Sequence, residues 1–230
     1  MKVPRVCIES GTVRFHDNSS MKNARNAVYH RRGRLPSGLW EVAAFGSDDA
    51  RDGEILDGVP EPPTEPAWRV SEASPGLVHV EVGRYLLPEQ PRLWYVWVDE
   101  RRASPAATNL VAFGGDRFPA GTIVSHMTFA TAGVPNGDQA GAVRWYPRDG
   151  LVHQIFVAPA WRRRFVASML LYAADAFHQA QGWEGKIHAD GRRTALGQLF
   201  AAGLRHPNRA RQLTEEMPEM DTEALGNARE

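Results

Sequence analysis

The chain is short of several things that would assign it a class at once. It has one cysteine, Cys7, so no intramolecular disulfide is available, which fits a reducing compartment. No apolar run approaches the roughly 20 residues needed to span a bilayer, and the opening Met1-Lys2-Val3-Pro4-Arg5 leads into no long apolar segment. A cytoplasmic protein without membrane contact is expected. Charge of one sign is also missing. Basic and acidic residues number 27 each, so no whole-molecule field draws in nucleic acid or an acidic surface. Lysine is scarce as well: Lys2, Lys22 and Lys186 are the only ones, and the other 24 basic residues are arginine. The eight histidines show no H-x-x-x-H or Cys/His spacing, so no built metal site is expected. No G-x-S-x-G, G-x-G-x-x-G or P-loop string occurs.

With 230 residues, of which 43% are hydrophobic, the chain can bury a full core without disulfides or metals. Residues 1–58 read as an N-terminal appendage. They hold a short strand over Arg5–Glu9, a helix beginning near Ser20, and a basic stretch balanced by the acids from Asp48 to Glu65. Nucleic-acid contact through that stretch is disfavoured by the net neutrality. Residues 59–76 read as a connector, because four prolines between Asp57 and Pro66 exclude helix and central strand.

From Leu77 the pattern is that of strands: Leu77–Val82, Leu93–Val98, Asn109–Phe113, Thr122–Phe129, and Ala142–Tyr146 with Leu151–Val157 around an Asp149-Gly150 turn. After Pro159 the period changes. Trp161, Phe165, Met169, Ala173 and Phe177 recur every fourth residue, opposite a polar face of Arg163, Arg164, Asp175, His178 and Gln179, so a helix is expected to stop near Gly182. A short strand over Lys186–Ala189 and a helix over Thr194–Ala202 follow. Residues 205–230 read as a polar tail without strand pattern.

The segment from Leu151 to Leu204 carries the chemistry. A strand ends in Val157-Ala158-Pro159, Arg162, Arg163 and Arg164 follow, and a helix starts at once. Exposed N–H groups, a helix N-terminus and fixed guanidinium groups suit a pyrophosphate. The stretch resembles the acetyl-CoA-binding core of GNAT-type acyltransferases, whose pattern is V-x-P, then R-x-x-G-x-G/A, then a helix with paired leucines. Arg162 and Ala167 match, as do Leu170 and Leu171, while Phe165 stands where the central glycine is usual. Further on, Ala195, Leu199-Phe200 and Gly203-Leu204 follow a family pattern that carries tyrosine where Phe200 stands. The final strand pair of the family is not evident. The H-x-x-x-R-R-T segment (His188, Arg192, Arg193, Thr194) is similar to proteins associated with phages of GC-rich bacteria.

The resemblance implies an α/β protein of α+β type, with a mixed, mostly antiparallel sheet, flanking helices and a GNAT-like core over residues 77–204. It implies acetyl-CoA as co-substrate, no metal, and an unidentified amine acceptor, with a homodimer compatible. By the same resemblance, backbone groups of Ile155, Phe156 and Val157 would meet the pantetheine arm. Arg162, Arg163, Arg164, Phe165, Val166, Ala167 and Ser168 would hold the pyrophosphate, and His153 would act as base. His188 and Arg193 could line the acceptor side, although a helix-capping or salt-bridging role is favoured for each. A GNAT-shaped interaction protein without turnover is the alternative.

Overall fold

The computed structural model describes residues 26–74, 76–135, 138–204 and 210–217, with the backbone of 8–9 and 12–13. Strands β1 (Ile8–Glu9) and β2 (Thr12–Val13) pair with each other. The expected helix near Ser20 and most of the basic stretch lie outside the described residues. The remaining elements are β3 (Asn26–Arg34), β4 (Trp40–Ser47), β5 (Glu54–Asp57), β6 (Trp68–Ser74), β7 (Leu77–Val82), β8 (Trp94–Glu100), β9 (Ala107–Phe113), β10 (Thr122–Ser125), α1 (His126–Ala132), β11 (Gln139–Trp145), β12 (Leu151–Val157), α2 (Val166–Gln181), β13 (His188–Ala189), β14 (Arg192–Arg193), α3 (Ala195–Ala202) and β15 (Glu215–Glu216).

Eleven strands form one sheet in the order β13-β12-β11-β9-β8-β10-β7-β6-β4-β3-β5. It is mixed and mostly antiparallel. Only β10 with β8, β3 with β5, and β12 with β13 run parallel. Residues 26–57, which the sequence sets apart as part of an appendage, supply three strands of this sheet, and 68–74, inside the expected connector, are β6. Charged residues such as Arg31, Arg32 and Arg34 on β3 mask its alternation, yet its other end, Ala27 to His30, is buried.

The sheet wraps around α2. That helix packs against β4, β6, β7, β9, β11 and β12. The seven strand spacings from β12 to β4 would span about 34 Å if flat, whereas sixteen helical residues are about 24 Å long. Only a strongly curved sheet brings both ends to one helix. An ion pair between Asp52, in the turn before β5, and Lys186, ahead of β13, ties the two margins together. Ala173, Ala174, Ala176 and Ala180 are fully buried, and their small side chains let the sheet approach closely. The opposite face of the sheet carries a second apolar cluster, where Trp94 stacks on Phe113 at 4.8 Å and Phe129 of α1 closes over both.

Three expectations change. The run Thr122–Phe129 is strand only to Ser125, whose hydroxyl accepts from the Thr128 N–H at 3.1 Å and starts α1. Such a cap lets a short helix win over an apolar but non-alternating run. Helix α2 begins at Val166, directly after the arginine turn, and Trp161, counted in its apolar stripe, instead ends a separate 3-10 turn, Pro159–Trp161. The polar side of α2 is not solvated. Asp175, His178 and Gln179 are 3%, 0% and 0% exposed. Asp175 accepts from Tyr29 Oη at 3.1 Å, Trp68 Nε1 at 3.2 Å and the Ile187 N–H at 3.4 Å, and Gln179 Nε2 donates to the Gly185 carbonyl at 2.7 Å, while Gln179 Oε1 finds no partner among the described residues.

Candidate functional site

Strand β12 carries the site. Its hairpin with β11 turns at Gly150, whose φ of 75° is the left-handed conformation that Asp-Gly turns favour. A bulge interrupts the ladder: Arg144 faces Gln154 while Trp145 faces Val152, which leaves His153 as the extra, unopposed residue. A bulge bends a strand and re-aims a side chain, and His153 is exposed. On the other edge, β13 pairs with Leu151 and Val152 only. The two parallel strands therefore part at His153.

Beyond that fork the outer edge of β12 has no partner strand among the described residues. The Ala158 N–H donates to the Ala140 carbonyl at 3.0 Å, which makes Ala140 and Ala158 a hydrogen-bonded pair. Antiparallel ladders alternate. Phe156 and Gln154 therefore direct their backbone groups to β11, and Ile155 and Val157 direct theirs to the open edge. Of the three residues expected to meet a pantetheine arm, Phe156 is engaged within the sheet by this register. The Val157 carbonyl already accepts from Arg162 Nε at 3.4 Å.

The arginine turn follows. Trp161 anchors it, for its ring lies where a Gly114 Cβ would stand, 2.5 Å from that position. Arg163 and Phe165 both have φ of 60°. A non-glycine residue there costs roughly 1–2 kcal/mol, so the turn holds a left-handed geometry that glycine would adopt without strain, with phenylalanine in its place. Phe165 is also the N-cap of α2, and no side chain caps that end. The first N–H groups of α2, on Val166, Ala167 and Ser168, thus have no partner within the helix. Gly141 brings them near β12, since Val166 Cγ1 and Leu170 Cδ1 pack at 3.3 and 3.1 Å from where its Cβ would be. Arg162, Arg163 and Arg164 are exposed. Among the described residues no ion pair engages any of them. Arg164 lies over the Trp161 ring at 5.8 Å. An open hollow of about 570 Å³ borders the turn, and its lining includes the carboxylates of Glu89 and Asp116 beside Arg92, Arg163, Arg164 and Phe165.

The acceptor-side residues divide. His188 is half-buried on β13 beside Leu151, with Nδ1 3.1 Å from the Lys186 carbonyl. Arg193 is fully engaged. Its Nε donates to Gln198 Oε1 at 3.0 Å, and its terminal nitrogens donate to the carbonyls of Asp190 and Arg211 at 2.6 and 2.8 Å. It fastens the stretch 210–217, where β15 pairs parallel with β14 and Ala210 bridges Ala189. That pairing, in a tail without strand pattern, follows from backbone proximity. Phe200 is half-buried in α3.

The sequence offers weak signals for what it missed. Gly114 and Gly141 end or interrupt strands, which marks close approach, and Tyr146 beside His153 could be read only from the hairpin register. Comparison with known proteins adds no relative: no family model, no curated protein and no solved structure matches the chain. Among the described residues no group of three His, Cys, Asp or Glu could hold a metal, and no helix is long and apolar enough to cross a membrane.

Proposed function

We propose that the chain binds an acyl-CoA along the open edge of β12 and transfers its acyl group to an amine. The observation that carries this is the fork at His153, from which a strand edge without a partner among the described residues runs to the arginine-flanked start of α2, which no side chain caps. Each part matches a part of the ligand. The amides of a pantetheine arm pair with a strand edge, here through Ile155 and Val157, as added strands do. A pyrophosphate suits the guanidinium groups of Arg162, Arg163 and Arg164 and the N–H groups of Val166, Ala167 and Ser168. This arrangement puts the thioester end toward the fork.

There His153 takes a proton from the acceptor amine. The nitrogen lone pair attacks the thioester carbonyl carbon, the C–N bond forms, and the C–S bond breaks with its electron pair leaving on sulfur. The departing thiolate takes its proton from water, since Phe200 has none to give.

A second reading keeps the binding and drops the turnover: a GNAT-shaped protein that meets a partner. The 50% and 73% exposure of Leu196 and Leu199 on α3 favours it, together with Phe200. An assay of CoA thiol release from acetyl-CoA against a panel of amines separates the two. Acyl transfer is expected to release thiol, and the release should fall at least about tenfold in His153→Gln. Tight CoA binding with no release from any amine would leave the partner-binding reading.

A further inference from the structure

An exposed imidazole on a strand turns freely about two torsions, and a base acts only when held within hydrogen-bond reach of its proton. The bulge aims the His153 backbone but does not fix the ring. Tyr146 supplies a wall. The two ring centroids are 5.5 Å apart, with planes inclined at 58°.

The position of Tyr146 is itself firmly set. Its N–H donates to the Leu151 carbonyl at 3.0 Å, and its carbonyl accepts from the Gly150 N–H at 2.9 Å. The preceding residue, Trp145, is fully buried and its Nε1 donates to His178 Nδ1 at 3.3 Å, so the strand cannot roll. Strand alternation then sends Tyr146 to the face opposite Trp145. The Tyr146 ring is therefore carried by a backbone held on both sides of the turn, and it meets the His153 imidazole.

We propose that Tyr146 is the positioning residue of His153, its ring holding the imidazole at the fork between β12 and β13. The consequence for rate rests on the acyl-transfer reading; the geometry does not. Because the contact is ring against ring, the benzene ring carries it and the hydroxyl does not.

The test replaces Tyr146 by Phe and by Leu. It reads kcat and KM for acetyl-CoA, and the proton NMR resonances of the His153 imidazole, assigned by their loss in His153→Gln. Tyr146→Leu is expected to lower kcat by about tenfold or more without moving KM, and to remove the ring-current displacement of the His153 resonances. Tyr146→Phe should rescue both. The proposal is overturned if the His153 resonances stay in place in Tyr146→Leu. It is equally overturned if that variant turns over like wild type while His153→Gln does not, or if Phe is as damaging as Leu. Full activity of His153→Gln would remove the base assignment instead, and the NMR comparison would still decide whether Tyr146 orients the ring.

Discussion

The arginine turn and helix α2 are contiguous in the chain, yet their polar residues meet opposite fates. Arg162, Arg163 and Arg164 project from a turn at the margin of the sheet and find no carboxylate partner among the described residues. Asp175, His178 and Gln179 lie within the curl of the sheet, where each is hydrogen-bonded. The difference is one of enclosure. A buried polar group must find a partner inside or the fold loses several kcal/mol, so the α2 residues answer to the fold. The arginines form no ion pair among the described residues; Arg162 Nε donates to the Val157 carbonyl and Arg164 lies over the Trp161 ring, so under the proposed function their charge is left for a ligand.

The largest effect should come from breaking the buried side. Asp175→Ala removes the buried acceptor shared by the Tyr29 hydroxyl, the Trp68 indole N–H and the Ile187 N–H, and is expected to cost about 3–5 kcal/mol in denaturant unfolding. On the exposed side, Arg162→Ala with Arg164→Ala should leave the unfolding midpoint in place and weaken CoA binding about 10–100-fold. If the double variant unfolds early and binds normally, the contrast between the two regions is lost.

A third test uses pH. Burial holds the His178 imidazole below the ordinary histidine value of 6.5. The indole N–H of Trp145 donates only, so His178 Nδ1 accepts, and Nε2 donates to the Glu184 carbonyl at 2.8 Å. Because the folded pKa lies below the unfolded one, the unfolded chain binds more protons as pH falls below about 6.5. Stability should therefore drop between pH 7 and pH 5.5 by about 1 kcal/mol. His178→Gln should flatten that part of the profile, as equilibrium unfolding at both pH values would reveal. The smallest effect belongs to the strained turn. Phe165→Gly removes a left-handed phenylalanine and should change stability by no more than about 1 kcal/mol, in the stabilising direction. Phe165→Val should move the midpoint the other way.

The second half of the chain was largely legible. The Asp149-Gly150 hairpin, β12, the stop of α2 at Gly182, β13 and α3 follow from alternation, turn residues and caps, which are local signals. What stayed hidden is long-range. Nothing local in Ala27–His30 says that it joins the sheet of β12, and the burial of Asp175 depends on Tyr29 and Trp68, more than 100 residues away in sequence. Of the candidate site, the residues were legible and their grouping was not. His153 was readable on its strand, but the bulge that exposes it, the fork that opens the edge and the Tyr146 wall all come from pairing register. For Arg193 the sequence favours a structural role over the acceptor side, and its bonds to Gln198 and to the carbonyls of Asp190 and Arg211 depend on long-range packing that no local pattern carries.

Calorimetric titration of the full chain with acetyl-CoA puts the open edge and arginine turn to the most direct trial. Saturable one-to-one binding in the micromolar range is the expected result, with the heat lost in the Arg162→Ala, Arg164→Ala double variant. No heat at millimolar acetyl-CoA from a folded sample would contradict the proposed site and, with it, the acyl-transfer function.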